Sequence, residues 1–428
     1  MELLENEIIR ERAVLAGVHT GRADFLYDTT EDTLAELSRL ADTADAEVLG
    51  TMIQNKSVIE KATYLGEGKI EELKNACLEL GANLVIFDDE LSPMQIRNLE
   101  NALNIRVIDR SMLILDIFAR HAESGEGKIQ VELAQLQYLL PRLTGMGSKM
   151  SRLGAGIGTR GPGETKLETD KRHIRRRISH LKEELEQVRK HRELIRSRRK
   201  KENRYVLALV GYTNAGKSTL LNALTGATVL AQDKLFATLD PTARGLTLSD
   251  KREVTLVDTV GFIRKLPHHL IEAFKSTLEE AVFADALLIV ADGSDPEVNI
   301  HLSVVSEILD SLGAGEKPKL IAFNKCDEIS DDINLPLLAK DVPYVEISAR
   351  NNINIDKLMD RIENLVPGKK RKITLLIPFS QGKILSELHQ KCTILSEDFL
   401  ENGTRISCLL DPEMYGRLRE FVLEDAKK

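Results

Sequence analysis

The run Gly211-Tyr-Thr-Asn-Ala-Gly-Lys-Ser218 fits G-x-x-x-x-G-K-[ST] and narrows the possible folds more than any other stretch. An apolar segment, Tyr205-Val-Leu-Ala-Leu-Val210, leads into it and reads as a buried strand. Thr219-Leu-Leu-Asn-Ala-Leu-Thr225 follows and reads as a helix with Leu220, Leu221 and Leu224 on one side. A strand, a glycine loop and a helix in that order form a phosphate cradle. Gly211 and Gly216 let successive backbone N–H groups turn toward oxygen, and the helix presents its positive end to the same anion. Lys217 is expected to reach the β- and γ-phosphates, and Ser218 to offer its hydroxyl to Mg²⁺. The nine residues Gly211, Tyr212, Thr213, Asn214, Ala215, Gly216, Lys217, Ser218 and Thr219 are therefore the expected phosphate contacts.

Three later motifs specify the base. Asp258-Thr-Val-Gly261 ends an apolar strand in D-x-x-G. Asp258 is expected to hold Mg²⁺ through water, and the Gly261 N–H to sense the γ-phosphate, with Thr259 and Val260 between them. Asn324-Lys-Cys-Asp327 fits N-K-x-D. The Asp327 carboxylate can accept from guanine N1–H and the exocyclic amine, a donor pair that adenine lacks. Asn324 is expected to support the base edge, the Lys325 stem to cover its face, and Cys326 to complete the turn. In Ser348-Ala-Arg350 the Ala349 N–H is expected to meet guanine O6. The order of the four motifs, each after an apolar strand, points to GTP rather than ATP.

Between the loop and D-x-x-G lies Phe236-Ala-Thr-Leu-Asp240, followed by Pro241-Thr242. Phe236, Ala237, Thr238, Leu239 and Asp240 are the expected first switch, with Thr238 favoured over Thr242 as the second Mg²⁺ ligand. Phe262 stands where many GTPases place a water-orienting Gln, so intrinsic hydrolysis is expected to be slow. Lys217, Thr238, Gly261 and Asn214 are the expected catalytic group. Two readings of Asn214 stand: its amide oxygen helps hold K⁺ beside the phosphates, or it only stabilises the loop. Arg244 and Arg264 are candidate internal arginine fingers. His268 and His269 read as bases or, more simply, as exposed loop histidines.

The 428 residues are too many for one ordinary domain. The expected class is a multidomain α/β chain with an N-terminal α/β domain over 1–118 and a helical coiled-coil arm over 119–203. A P-loop GTPase domain of mixed sheet with helices on both faces covers 204–366, and a small C-terminal α+β domain covers 367–428. In the first, strands are expected at 13–18, 46–50, 84–87 and 105–108, and helices at 30–44, 68–80 and 92–103. Tyr64-Leu-Gly-Glu-Gly-Lys69 reads either as a second nucleotide-phosphate loop or as a Gly-rich turn into a helix. In the arm, Ile129, Leu133, Leu136, Leu140 and Leu143, and then Ile174, Ile178, Leu181, Leu185 and Val188, follow 4,3,4,3 spacing. Such seams fit an antiparallel helix pair, the second over about 167–203, with a Gly-rich tip loop over 145–163. The last module reads β-α-β-β-α with a turn at Asn402-Gly403.

The net charge of −8 hides an asymmetry. Over 171–204 there are 15 Lys and Arg against five Glu. The excess is one-signed rather than paired along the helix. A solvated face is the simpler reading, but a basic arm on an acidic body is the footprint of a phosphate-backbone partner. Arg160, Arg175, Arg176, Arg177, Arg198, Arg199 and Lys200 are the expected contacts. Tyr138 is the only aromatic nearby, which favours recognition of structured RNA by shape and phosphates over base stacking. Four scattered cysteines without C-x-x-C spacing fit a reducing compartment rather than a disulfide frame or zinc site. Neither a signal peptide nor a membrane-spanning run is expected.

These residues carry a resemblance. The four nucleotide motifs are similar to those of translation-factor-class GTPases of the Obg–HflX group. The run Gly158-Thr-Arg-Gly-Pro-Gly-Glu-Thr-Lys-Leu-Glu-Thr-Asp-Lys-Arg172 resembles the signature that precedes the GTPase domain in the HflX family. Tyr64–Lys69 and Phe236-Ala-Thr-Leu-Asp-Pro241 are similar to that family too. The resemblance implies a cytoplasmic GTPase, with peripheral attachment to a membrane left open. It would bind the large (50S) ribosomal subunit and act in splitting, rescue or biogenesis of ribosomes, under stress in particular. The N-terminal region and arm would touch ribosomal RNA, and the ribosome would stimulate hydrolysis. Phosphate roles carry over to 211–219, Mg²⁺ to Ser218 and Thr238, and base recognition to Asn324, Lys325, Asp327 and 348–350. A monomer is expected. Two other readings stay open: a GTP-dependent switch whose arm binds a protein, and an RNA-remodelling NTPase with a second, N-terminal ATP site.

Overall fold

The computed structural model describes residues 11–21, 29–143, 162–201, 205–226, 235–236, 242–265, 267, 270, 275–328, 339, 342–367, 371–410 and 412–423. The multidomain α/β organisation expected from the sequence is the one the chain adopts. The first sheet holds β1 (Arg12–His19), β2 (Glu47–Asn55), β3 (Leu84–Phe87) and β4 (Arg106–Asp109), all parallel, in the order β2-β1-β3-β4. The helices Thr30–Thr43, Glu67–Leu80 and Pro93–Leu103 connect its strands. Thr29 and Ser92 start two of them with capping boxes, each hydroxyl accepting from a backbone N–H three residues on. Strand β2 runs five residues further than its apolar core indicates, because its second half is only partly buried.

One helix lies outside the sequence expectations. Arg110–His121 starts directly at the end of β4, with Asp109 as N-cap accepting from the Met112 N–H. No Gly or Pro separates strand from helix, and the one start signal is Asp109, a favoured N-cap residue. This helix crosses position 118, the expected end of the N-terminal unit.

Two long helices follow, Gly125–Arg142 and Pro162–Lys201. Leu133, Ile178 and Leu181 are buried between them, flanked by Ile129, Leu136, Leu140, Ile174 and Leu185. Arg177 pairs with Glu132 and Arg192 with Glu126, so the pair is antiparallel. The second helix begins about five residues earlier than its leucine spacing indicates, at a Pro that suits a first turn. Most of the expected tip loop, over 144–161, lies outside the described residues.

The second sheet contains β5 (Tyr205–Gly211), β6 (Thr242–Thr247), β7 (Glu253–Asp258), β8 (Ala286–Asp292), β9 (Lys319–Asn324) and β10 (Tyr344–Glu346). Its order is β10-β9-β8-β5-β7-β6, parallel except for the β6–β7 pair. Strand β6 is not among the expected strands because it is an edge strand with one buried apolar residue, Leu246. The chain order reverses on either side of β5, which puts the topological switch point at the carboxyl end of that strand, where Gly211 lies.

A single apolar cluster joins one face of each sheet. It runs from Leu15, Leu37 and Phe118 through Phe236 and Ile263 to Leu287 and Phe323. The C-terminal sheet, β11 (Arg371–Ile377), β12 (Thr393–Leu400) and β13 (Gly403–Leu410), is antiparallel in the order β11-β13-β12 and has its own small core. No described helix is long and apolar enough to cross a membrane.

Candidate functional site

The glycine loop sits at the end of β5 and opens into the helix Lys217–Thr225. Gly216 adopts φ +89°, and a Cβ there would lie 2.2 Å from Asn324 Nδ2, so only glycine fits. No side chain caps this helix, which leaves its first N–H groups directed at the loop. Lys217 is 7% exposed, and its Nζ donates to the Gly211 and Tyr212 carbonyls at 3.1 and 2.8 Å. Burial pushes its ammonium down to about 8, against the pull of the Asp258 charge. Ser218 Oγ donates to Asp258 Oδ2 at 2.8 Å. Asp258 is wholly buried, as is Thr259, whose hydroxyl donates to the Leu209 carbonyl at 2.7 Å. Thr213 Oγ1 is buried without a protein partner.

The D-x-x-G segment is bound to this loop. Thr213 N–H donates to the Phe262 carbonyl at 2.8 Å, and Phe262 N–H to the Gly211 carbonyl at 3.1 Å. A Cβ on Gly261 would lie 2.8 Å from Thr213 Cα and 3.0 Å from Lys217 Nζ. Val260 is buried beside it. The Phe262 ring is 1% exposed and belongs to the core, so it presents no group to a water molecule.

The base side is organised by Asn324. Its Nδ2 donates to the Ala215 carbonyl and its Oδ1 accepts from the Ala349 N–H, both at 2.9 Å. Asn324 thus ties the phosphate loop to the 348–350 segment. The Ala349 N–H, expected to face O6, is directed at Asn324. Lys325 has a left-handed backbone and pairs with Asp292 at 2.5 Å. The Cys326 N–H donates to the Ile347 carbonyl. Asp327 is exposed, accepts from Asn351 Nδ2 at 2.7 Å, and is held below the usual carboxylate range, chiefly by the Ser348 hydroxyl. Arg350 is exposed next to it.

The structure therefore gathers 211–219, 258–261 and the 324–327 and 348–350 segments around the carboxyl ends of β5, β7 and β9. Asn214 is exposed with a left-handed backbone. Phe236 is described and buried, whereas Ala237, Thr238, Leu239 and Asp240 lie outside the described residues. Thr242 starts β6 opposite Asp258. His268 and His269 also fall outside. Of the two candidate fingers, Arg244 is exposed on β6 and Arg264 is 1% exposed, ion-paired with Glu297 at 2.7 Å. Arg264 is thus committed away from the phosphates. Tyr64–Lys69 forms the turn into Glu67–Leu80, with Gly66 at the N-cap and Tyr64 buried against Phe87.

Three family descriptions match in succession. "GTP-binding GTPase N-terminal" covers 31–119, "GTP-binding GTPase Middle Region" 121–199 and "50S ribosome-binding GTPase" 206–325. GTPase HflX of Caldanaerobacter subterraneus subsp. tengcongensis is 50% identical over 419 residues, 97% of this chain and 94% of that one. This chain belongs to the HflX family of GTPases. GTPase HflX of Escherichia coli is 42% identical over 396 residues, 92% of each. A solved GTP-binding protein from Sulfolobus solfataricus in complex with GDP is 27% identical, with a TM-score of 0.44, over 83% of this chain and 98% of that one. As an HflX-family GTPase the chain binds GTP and hydrolyses it.

Sequence reasoning passes over Glu36, Asp88, Arg110 and His301, which surround the loop from behind. Each stands alone in an ordinary helix or strand end, and only the fold brings them together.

Proposed function

We propose that this GTPase binds the large ribosomal subunit and its RNA through the basic arm. GTP sets its grip while it separates or rescues stalled ribosomes. The observation that carries this reading is the arm itself. The helix Pro162–Lys201 is held to Gly125–Arg142 by an apolar seam and extends a one-signed charge from the nucleotide domain. Arg175 and Arg176 are exposed on it. Arg198, Arg199 and Lys200 continue the charge along the helix, and Arg160 precedes it, outside the described residues. A family described as 50S ribosome-binding matches the adjoining nucleotide domain, which supports the same reading. The chain would work in the cytoplasm as a monomer.

In the nucleotide site, 211–219 would grip the phosphates and Asp327 would select guanine, with the Lys325 stem over the base. The 348–350 segment would serve O6 once Ala349 N–H exchanges its Asn324 partner for the base. The donor set fits a hard divalent ion: Ser218 Oγ and the buried Asp258 carboxylate lie 2.8 Å apart beside the Lys217 ammonium. Ser218 and Thr238 would hold Mg²⁺, with Asp258 acting through water. The ion would neutralise charge on the β- and γ-oxygens. Gly261 N–H would read the γ-phosphate, and Lys217 would exchange its two carbonyl partners for phosphate oxygens. With Phe262 buried in the core, the attacking water would be oriented by the bound ribosome. Asn214, at the exposed rim, would lend its amide oxygen to K⁺.

Sedimentation with purified subunits tests the reading. Co-migration with the large subunit under a non-hydrolysable GTP analogue but not GDP, weakening steeply with salt, is expected. No association in either state overturns it.

A further inference from the structure

The wall behind the phosphate loop is built by the N-terminal domain, and it is charged and dry. Glu36, on the helix Thr30–Thr43, is 2% exposed. Its Oε1 accepts from Arg110 Nη2 at 2.8 Å, and its Oε2 from the Tyr212 hydroxyl at 2.7 Å. The same Tyr212 oxygen accepts from the Arg264 N–H at 2.9 Å. Arg110 Nη2 also donates to the Arg264 carbonyl at 3.2 Å, so Arg264 is held at both its backbone groups. One residue further, Lys265 Nζ reaches Asp88 at 2.6 Å and Asp89 at 2.9 Å. Tyr212 also stacks on His301, centroids 3.9 Å apart. Asp295, Glu297 and His301 converge as metal ligands do, but the Arg264 guanidinium lies among them.

Phe236, the described residue of the expected first switch, is held from the same side. Phe236 packs edge-on against Phe118 of the N-terminal domain at 4.7 Å. Phe236 and Lys265 both have left-handed backbones, at φ 57° and 49°. Such conformations cost on the order of 1–3 kcal/mol for bulky residues and persist only where surroundings enforce them. Here each strained residue sends its side chain into the N-terminal domain.

We infer that Glu36 is a positioning residue for the nucleotide site: from the N-terminal domain it holds the phosphate loop through Tyr212 and the segment after Gly261 through Arg264 and the Tyr212 hydroxyl. Any movement of Gly261 toward or away from a γ-phosphate must pull on Phe262, Arg264 and Lys265. The nucleotide state and the docking of the N-terminal domain are therefore linked, and the linkage acts equally in both directions. The inference rests on the GTP reading of the 211–218 loop.

Two measurements on the full chain test it, in wild type and in Tyr212→Phe, which deletes one hydroxyl and keeps the stacked ring. Glu36→Gln, which keeps the shape and removes the charge, is the second variant. The first measurement is the release rate of a fluorescent GDP. The second is amide hydrogen exchange over Thr30–Thr43, a helix that takes no part in the phosphate or base contacts, with GDP and with a non-hydrolysable GTP analogue. In wild type, exchange over that helix should differ between the two nucleotides. In both variants the difference should vanish, with GDP release faster by roughly three- to tenfold, the worth of one buried hydrogen bond. Equal exchange with the two nucleotides in wild type overturns the inference. So does a variant that keeps the wild-type difference and release rate. Failure of wild type to bind GDP at all would instead refute the GTP reading.

Discussion

Arg110 and Arg264 are each 1% exposed, whereas Arg175, Arg176 and Arg177 stand on the open surface of the arm. The two sets carry the same charge and do opposite work. Behind the phosphate loop, Arg110, Arg264 and Lys265 meet Glu36, Asp88, Asp89 and Glu297, so every cation there has a carboxylate. Dry charges persist only when matched in this way, because an unmatched one carries its full desolvation penalty. On the arm, Arg177 has Glu132 but the helix as a whole is far short of acids. Water tolerates that surplus, and only an outside anion could balance it. Neutral, buried arginine networks describe how this molecule is assembled; unbalanced, exposed ones leave charge open to a partner from outside.

The sharpest way to break the comparison is to delete a buried member. Arg110→Ala takes the nearest cation from two buried carboxylates, leaving Glu36 with the Arg264 guanidinium at 3.7 Å and Asp88 with Lys265 alone. The expected loss is about 3–5 kcal/mol, read by urea denaturation, with the N-terminal domain the first to come away. Burial alone would raise the Asp88 carboxyl, and the Arg110 charge together with that of Lys265 holds it below its usual range. A loss too small to resolve would mean that the network is solvated and the contrast false.

His301 offers a second test in the same network. Burial drives its imidazole down to about 4, the nearby Arg264 and Arg39 acting the same way and Asp295 and Asp292 opposing. The folded state thus refuses a proton that the unfolded chain accepts below its ordinary value of 6.5. Stability is complete above pH 6.5 and is lost as pH falls toward 4, by on the order of 3 kcal/mol in all. His301→Asn should flatten that part of the pH–stability curve while leaving neutral-pH stability less affected than Arg110→Ala does.

Reversing the exposed set should do the converse. The triple change Arg175→Glu, Arg176→Glu, Arg177→Glu is expected to weaken binding to the large subunit at least tenfold. It should also reduce the slope of log affinity against log salt by about 2–3, close to one unit for each phosphate that is no longer neutralised. Melting should barely move, since these positions face water. A large fall in melting temperature with an unchanged salt slope would move the arm from recognition to architecture.

What was legible follows the same division. The loop at 211–218, D-x-x-G and N-K-x-D are local strings whose chemistry requires fixed residue types, so they stand out without a fold. The arm's seam shows as leucine spacing, and its surplus shows in a count of charges. Strand β6 does not, because an edge strand such as Thr242–Thr247 buries too little to leave a pattern. The helix Arg110–His121 is hidden by its direct start from β4. Above all, nothing marks Glu36 as the partner of Tyr212, 176 positions away. Paired buried charges look like any surface charge in sequence, because pairing belongs to the tertiary structure. Asn324 shows the limit within a motif: its identity is readable, but its service as a brace between Ala215 and Ala349 is not.

The smallest expected effect is also the most discriminating for the arm. Arg177 grips Glu132 with two parallel bonds, Nε and Nη2 each 2.7 Å from a carboxylate oxygen. Such geometry looks strong, yet both side chains are more than 40% exposed, and solvent screens the attraction. Arg177→Ala should therefore shift melting by less than about 2 °C at neutral pH. The bond lowers the Glu132 pKa below its ordinary 4.5. The small stabilisation is thus present above that value and lost as pH falls through the lowered one, so variant and wild type should converge in acid. A shift as large as that of Arg110→Ala would show that bidentate geometry outweighs exposure, and burial would then no longer be what separates the two sets of arginines.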